Sequence, residues 1–461
     1  MLGLVQSMKN NFAPISKIPS DVFSLIPGYF TGRDVDENLI TMTHVCRGWR
    51  ELLIAHSSLW ARLDCKNADK TRVYIERSKS APLDLILFEF RDTTYLEDAF
   101  LSVIPYISRL KSLTIVGAMD LLQNLTPHIS CPLPLLRELE IHLTCDPAPG
   151  FDNALFNGDF PSLCSLHLAG SITYLPWNNL SKLTTFKLSS VSEGKISITQ
   201  LLDFFEDAHH LRDITLNESI PTLSDAPPGR VVSLPCLESL VIDSDVVHSI
   251  LLNHLSIPAG ASLIQEFAFQ GDKSPLLDFL PKTLDNLGNI LTITSVNLCL
   301  DDAEKHVKLG GPSGRLYIHD HWMNQDEGAS LIQLDRRILR SLSCFVLSGT
   351  QRLAVTTYNN LPFILALDPI QNPSKHAPCP ELKELILYVK DLKSFNIKEL
   401  TSMTKERASA GRKLSLITFV GLGELVPGEK VFKLKEYVTR VDYKVGEKPP
   451  RWDVAPGDRD D

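Results

Sequence analysis

One pattern constrains this chain more than any other. An L-x-x-L-x-L motif, with Ile or Phe standing in for Leu, returns at Leu110 (LKSLTI), Leu136 (LRELEI), Leu163 (LCSLHL), Leu183 (LTTFKL), Leu211 (LRDITL), Leu237 (LESLVI) and Ile264 (IQEFAF). Subtracting successive starts gives 26, 27, 20, 28, 26 and 27. In a sequence that is 44% hydrophobic, three apolar positions alone recur by chance at about one site in twelve, so the even spacing carries the information.

A period in the roughly 20–29 residue range is that of leucine-rich repeats, in which each unit is one strand plus a helical or looser return and cannot bury its apolar face without its neighbours. The first, fourth and sixth residues, such as Leu136, Leu139 and Ile141, are expected to point inward. Burying each is worth roughly 1.5–3 kcal/mol. The third, fifth and seventh then alternate onto the outward face. On that face Glu138, Glu140, His142, His167, Lys187, Asp213, Asn217, Asp243, Glu266 and Gln270 are the expected substrate-binding residues. The face is polar, mixed in charge and poor in aromatics, which suits many modest hydrogen bonds to a folded protein or peptide.

The return segments agree. Residues 197–208 place Ile198, Leu201, Leu202, Phe205 and Ala208 on one helical face, opened by Ser197 with Gln200 three residues on as a capping box. Phe100, Val103, Ile104 and Ile107 form a similar stripe. The shorter unit between Leu163 and Leu183 predicts an irregular turn. Beyond Ile264 the period blurs, with strands expected at Ile290–Ser295, Leu316–Ile318, Leu342–Leu347, Leu382–Leu387 and Leu414–Phe419, and Gly/Pro-rich insertions around 300–330 and 350–380.

Residues 15 to about 80 read differently. Ile18–Phe30 opens with Pro19, Ser20 and Asp21 and carries Val22, Leu25 and Ile26 on one face, predicting a short amphipathic helix. Leu39–Ala55 predicts a second, with Val45, Trp49 and Leu52 at i, i+4, i+7, followed by SSLW at 57–60. About fifty residues make a core too small to stand comfortably alone.

These residues, Ile18-Pro19-x-Asp21-Val22-x-x-Leu25-Ile26, then Leu39, Val45-Cys46-Arg47-x-Trp49-Arg50-x-Leu52 and Leu59-Trp60-x-Arg62-Leu63, resemble the F-box motif. The stretch from Arg72 to Leu85 is similar to the helix-then-strand linker of F-box proteins abundant in mushroom-forming fungi, whose C-terminal halves carry irregular leucine-rich repeats. The resemblance implies docking on a Skp-type adaptor, and through it on a cullin–RING ubiquitin ligase, with Ile18, Pro19, Val22, Leu25, Ile26, Leu39, Val45, Trp49, Leu59 and Trp60 making up the adaptor-binding interface and its supporting core. It departs from the family at Pro27, where Phe or another apolar residue is usual and where a proline should end or kink the first helix.

The expected fold is therefore α/β: an extension over 1–14, a three-helix F-box over 15–65, a linker helix over 66–82, an irregular solenoid over 83–445 with a parallel sheet on its concave face and helices and loops on the convex one, and a flexible Pro/Gly/charge-rich tail over 446–461. The expected function is that of the substrate-recognition subunit of a Skp–cullin–F-box ligase. Its alternatives are a repeat scaffold with a degenerate F-box that no longer binds the adaptor and an enzyme using the Gly/Pro-rich insertions at 300–380.

Other classes are disfavoured. Lys+Arg 46 against Asp+Glu 55, with no basic stripe, argues against nucleic acid. Nine scattered cysteines without a C-x-x-C pair suggest neither a zinc knuckle nor a disulfide framework. The four-residue apolar start and the lack of an apolar run of ~18 residues argue against secretion and membrane insertion, leaving cytosol or nucleus. His319-Asp320-His321 lacks a third metal ligand, Asp301, Asp302 and Glu304 resemble an acidic first helical turn, and no P-loop or nucleophile elbow occurs. No catalytic residue, metal or cofactor is expected.

Overall fold

The computed structural model describes residues 17–23, 25–29, 35–88, 94–118, 133–144, 160–170, 180–191, 196–217, 228–243, 248–267, 286–288, 295–300, 305–310, 315–320, 350–357, 364, 367–368, 379–389, 395–421 and 429–445. It is an α/β protein with extensive parallel sheet and several helices. The described residues divide between Leu183 and Thr184 into two units.

In the first unit, α1 (Ser20–Phe23) is only one turn long and gives way to a 3-10 turn over Ile26–Tyr29. Pro27 sits inside that turn, where its missing N–H forbids continuation of the α-helix. The helix expected over 39–55 is two: α2 (Val35–Val45) and α3 (Arg47–Ala55). Cys46 between them is extended, and its Sγ accepts a hydrogen bond from the Trp49 N–H at 3.5 Å. The thiol thus does the work of an N-cap oxygen, a role the helical spacing of Val45, Trp49 and Leu52 concealed.

A 3-10 turn (Ser57–Trp60) and β1 (Arg62–Leu63) follow, then α4 (Ala68–Ser78), capped by the Asn67 side chain accepting from the Lys70 N–H at 2.9 Å. Lys70 Nζ joins Asp36 on α2 to Asp64 after β1. Trp60 is fully buried: its ring packs edge-on to Tyr74, the Arg77 guanidinium lies 4.3 Å over it, and its indole N–H donates to the Leu53 carbonyl at 2.9 Å.

The unit continues with β2 (Leu83–Phe88), α5 (Thr94–Val103), β3 (Leu110–Gly117), β4 (Glu138–Leu143) and β5 (Ser165–Gly170). Strands β1 to β5 pair in parallel in chain order, so β1 carries the end of the N-terminal module onto the sheet edge beside β2. The inward positions (Leu110, Leu113, Ile115; Leu136, Leu139, Ile141; Leu163, Leu166, Leu168) are buried. A further buried residue stands three positions before each later motif: Leu133 and Phe160 accept from the Leu136 and Leu163 N–H groups, closing a turn that launches the strand. Gly170 ends β5 with φ +80°, and a Cβ there would meet the Leu143 carbonyl oxygen at 1.8 Å.

The second unit opens with β6 (Thr185–Ser189), α6 (Ile198–Asp207), β7 (Asp213–Asn217), β8 (Val232–Ser233), β9 (Ser239–Asp243), α7 (His248–Asn253), β10 (Leu255–Ser256) and β11 (Ser262–Phe267). Ser197 and Gln200 form the expected capping box on α6, and Ile198, Leu201, Leu202, Phe205 and Ala208 are buried. After these come β12 (Ser295–Leu300), β13 (Lys305–Gly310), β14 (Arg315–Asp320), β15 (Arg352–Thr357), β16 (Glu384–Val389), α8 (Ile397–Ser409), β17 (Leu416–Gly421), α9 (Glu429–Phe432), α10 (Leu434–Tyr437) and β18 (Arg440–Val445). The main sheet of this unit runs β6-β7-β9-β11-β14-β13-β12-β15-β16-β17-β18, and β8 pairs separately with β10. Among the described strands, β13 alone runs antiparallel to its neighbours, β12 and β14.

Two expectations need correction. Ile264 does not open an inward row: β11 turns Leu263 and Gln265 inward and sets Ile264 opposite Val241 on the outward side. The I-x-x-F-x-F pattern fits there out of register because a glutamine, Gln265, occupies an inward slot where the motif expects an apolar residue. The residues after Asp301, Asp302 and Glu304 form strand β13 rather than a helix. Of the strand expected over 290–295, only Ser295 lies within the described residues, where it opens β12. The strand at 342–347, the tail and the turn between β5 and β6 lie outside the described residues.

Candidate functional site

Two regions carry the residues singled out from sequence. In the N-terminal module the structure sorts them by environment. Leu39 and Trp60 are buried, and Trp49 is half-buried with its ring 4.7 Å from that of Phe23. Ile18, Ile26 and Leu59 are also half-buried, whereas Pro19 is exposed. Val22, Leu25 and Val45 are 48%, 60% and 55% exposed, and Tyr29 and Ile40 are exposed too. Large apolar side chains left in water on so small a module are the kind of surface that marks a docking site.

The second region is the outward face of the strands. In the first unit the parallel register stacks Ser112, Glu138 and Ser165 in one row, Thr114, Glu140 and His167 in the next, and Val116, His142 and Ala169 in the third. Glu138 is exposed and Ala169 is buried. The middle row and its neighbour build a compact polar centre. Glu140 Oε1 lies 2.9 Å from His142 Nε2 and 2.9 Å from His167 Nδ1. The two ring nitrogens are 3.3 Å apart. The other carboxylate oxygen, Oε2, accepts from the Thr114 hydroxyl at 3.2 Å.

Hydrogen bonds from His142 and His167 outweigh the cost of partial burial and hold the Glu140 carboxyl far below the usual carboxylate range. All three donor atoms lie within 4.8 Å of one another, a separation that one metal ion can bridge. The sequence named Glu140, His142 and His167 as separate face residues and expected no metal. The signal that joins them was present: Glu140 and His167 are 27 residues apart, the same offset as Leu136 and Leu163, so they had to be cross-strand neighbours.

In the second unit, register aligns Thr185, Asp213, Ser239 and Ser262; Lys187, Thr215, Val241 and Ile264; and Ser189, Asn217, Asp243 and Glu266. Burial, together with the charge of Glu238, raises the Asp213 pKa against the opposing pull of Arg212. Lys187, Asn217 and Asp243 are half-buried along these rows. The Glu266 side chain and Gln270 lie outside the described residues. Among the described face residues, the structure thus draws Glu140, His142 and His167 into one cluster. His209 and His210 follow α6 with rings 4.3 Å apart, and His210 Nδ1 is 4.0 Å from Cys236 Sγ.

Among the described residues, no helix is long and apolar enough to cross a membrane. No family model matches the chain, and no curated protein matches it significantly.

Proposed function

We propose that this protein is the substrate-recognition subunit of a Skp–cullin–F-box ubiquitin ligase, docking on the adaptor through residues 15–65 and holding a protein substrate on the outward face of a leucine-rich-repeat solenoid. The observation that carries this reading is the sorting of the motif residues. Val22, Leu25 and Val45 stand at motif positions and are largely exposed, while Leu39 and Trp60, also motif positions, fill the core. A generic helical cap gains nothing from keeping large apolar side chains in water. The solenoid part rests on the parallel pairing of strands 26 to 28 residues apart and on their shared launching turn.

The mechanism is positional. The protein itself makes no bond; it raises the effective concentration of a substrate lysine near a ubiquitin-charged enzyme by holding both on one body. The outward rows around Glu138, Lys187, Asp213 and Asp243 supply polar contacts of both signs for a folded partner.

Co-purification of the full chain with a Skp-type adaptor tests this. Capture by wild type and its loss in a Leu25→Asp, Val45→Asp double variant is the expected result. Capture by neither, or equally by both, overturns it. A failure by both favours the scaffold reading, for which the shortening of α1 ahead of Pro27 is the supporting observation.

A further inference from the structure

We propose that Glu140 Oε1, His142 Nε2 and His167 Nδ1 form a binding site for one divalent transition-metal cation, with zinc the best match to the donor set. The inference goes beyond the receptor reading and does not depend on it.

The geometry is the first argument. Ligands about 2.0–2.1 Å from a tetrahedral zinc stand about 3.3 Å from one another. Here the three separations are 3.3, 2.9 and 2.9 Å, so the donors already outline one face of the tetrahedron and need move apart by only a few tenths of an ångström. Two strands hold them in place. Glu140 and His142 share a face of β4 two residues apart, and His167 is the register partner of Glu140 on β5. The scaffold is backbone-paired sheet rather than loop, which keeps the cost of organising the site low.

Chemistry is the second argument. Two imidazoles and one carboxylate are a mixed nitrogen and oxygen set that suits zinc and the late first-row divalent ions, whereas magnesium and calcium take oxygen cages. The Thr114 hydroxyl on the second carboxylate oxygen fixes the orientation of the ligating one, the usual task of an outer-layer partner. His142 and His167 side chains retain 34% and 19% of their exposure, so the cluster faces solvent on one side. A cation seated there takes water as its exchangeable fourth ligand and presents it on the outward face.

The test uses the full chain after chelator treatment, titrated with zinc alone against a chromogenic chelator and, in parallel, with Co²⁺ to read visible d–d absorption. One equivalent of zinc and intense tetrahedral Co²⁺ bands are expected. Glu140→Gln and His167→Asn, checked for folding by circular dichroism, should each lose the equivalent. Thr114→Val should weaken binding roughly tenfold, and His210→Asn should leave it unchanged. Zinc should also shield His142 and His167, but not His209 or His210, from diethyl pyrocarbonate, a readout that needs no variant. No competition by wild type, an equivalent retained by folded His167→Asn, or protection absent at His142 and His167 overturns the proposal.

Discussion

The Trp60 indole N–H donates to the Leu53 carbonyl at 2.9 Å, so a tryptophan that the motif resemblance assigned to the adaptor interface or its supporting core is a bolt between α3 and the turn that follows it. Stability and docking should therefore separate within one motif. Trp60→Ala should cost about 3–5 kcal/mol in urea unfolding. Leu25→Asp and Val45→Asp, at exposed positions, should stay within about 0.5 kcal/mol of wild type while abolishing adaptor capture. A docking variant as unstable as Trp60→Ala would count against the exposed face.

Gly170 should not tolerate a side chain. Its positive φ alone puts about 1–3 kcal/mol on any replacement, and an added Cβ collides with the Leu143 carbonyl. Gly229 has a similar φ of +76° but open space around it. Thermal unfolding should show Gly170→Ala well below Gly229→Ala, and equal melting temperatures would remove the clash argument.

The Asp36–Lys70–Asp64 network predicts a definite pH response. Burial pushes the Asp64 carboxyl up, but the hydrogen bond and charge of Lys70, helped by Lys66, outweigh it and leave the pKa lowered. Burial likewise opposes the charged Lys70, yet Asp36 and Asp64 leave its pKa raised. A lowered carboxylate stabilises the fold above its unfolded pKa of about 3.9 and loses that contribution as pH falls through the folded value. A raised amine does the reverse, contributing below about 10.4 and losing it as pH climbs through the folded value. Lys70→Met should thus be less stable than wild type between about pH 5 and 9, with the gap closing at both extremes. A pH-independent gap would mean that only the packing of the lysine stem matters.

Thiol chemistry should rank the cysteines. Burial pushes the Cys65 and Cys379 thiols up to about 12, leaving almost no thiolate near neutrality, while Cys236 is exposed. Peptide mapping after brief iodoacetamide treatment at pH 8 should find Cys236 labelled and Cys65 and Cys379 unlabelled until urea is added. Early labelling of Cys379 would show that the turn before β16 opens locally.

Much of the fold was legible because the apolar period is a backbone period: Leu183, Phe186, Leu188, Leu211, Ile214, Leu216, Leu237, Leu240 and Ile242 are buried where the motif placed them. It failed at Ile264 because Gln265 sits in the core, and a pattern of hydrophobicity cannot announce a buried amide. It failed between α2 and α3 because a cysteine rarely caps a helix, so nothing at Cys46 signalled a break. It missed the metal-ligand geometry of Glu140, His142 and His167 for another reason: residues were weighed along the strand, although the chemistry runs across strands. The antiparallel insertion of β13 has no apolar signature that separates it from its parallel neighbours.

Among the described strands, β18 is the last in its sheet and pairs with β17 alone. Arg440, Asp442 and Lys444 occupy alternate positions along it, so a second molecule adding its own strand would have to bring backbone amides up against a fence of charge. Sheet growth from copy to copy is thereby disfavoured at this rim.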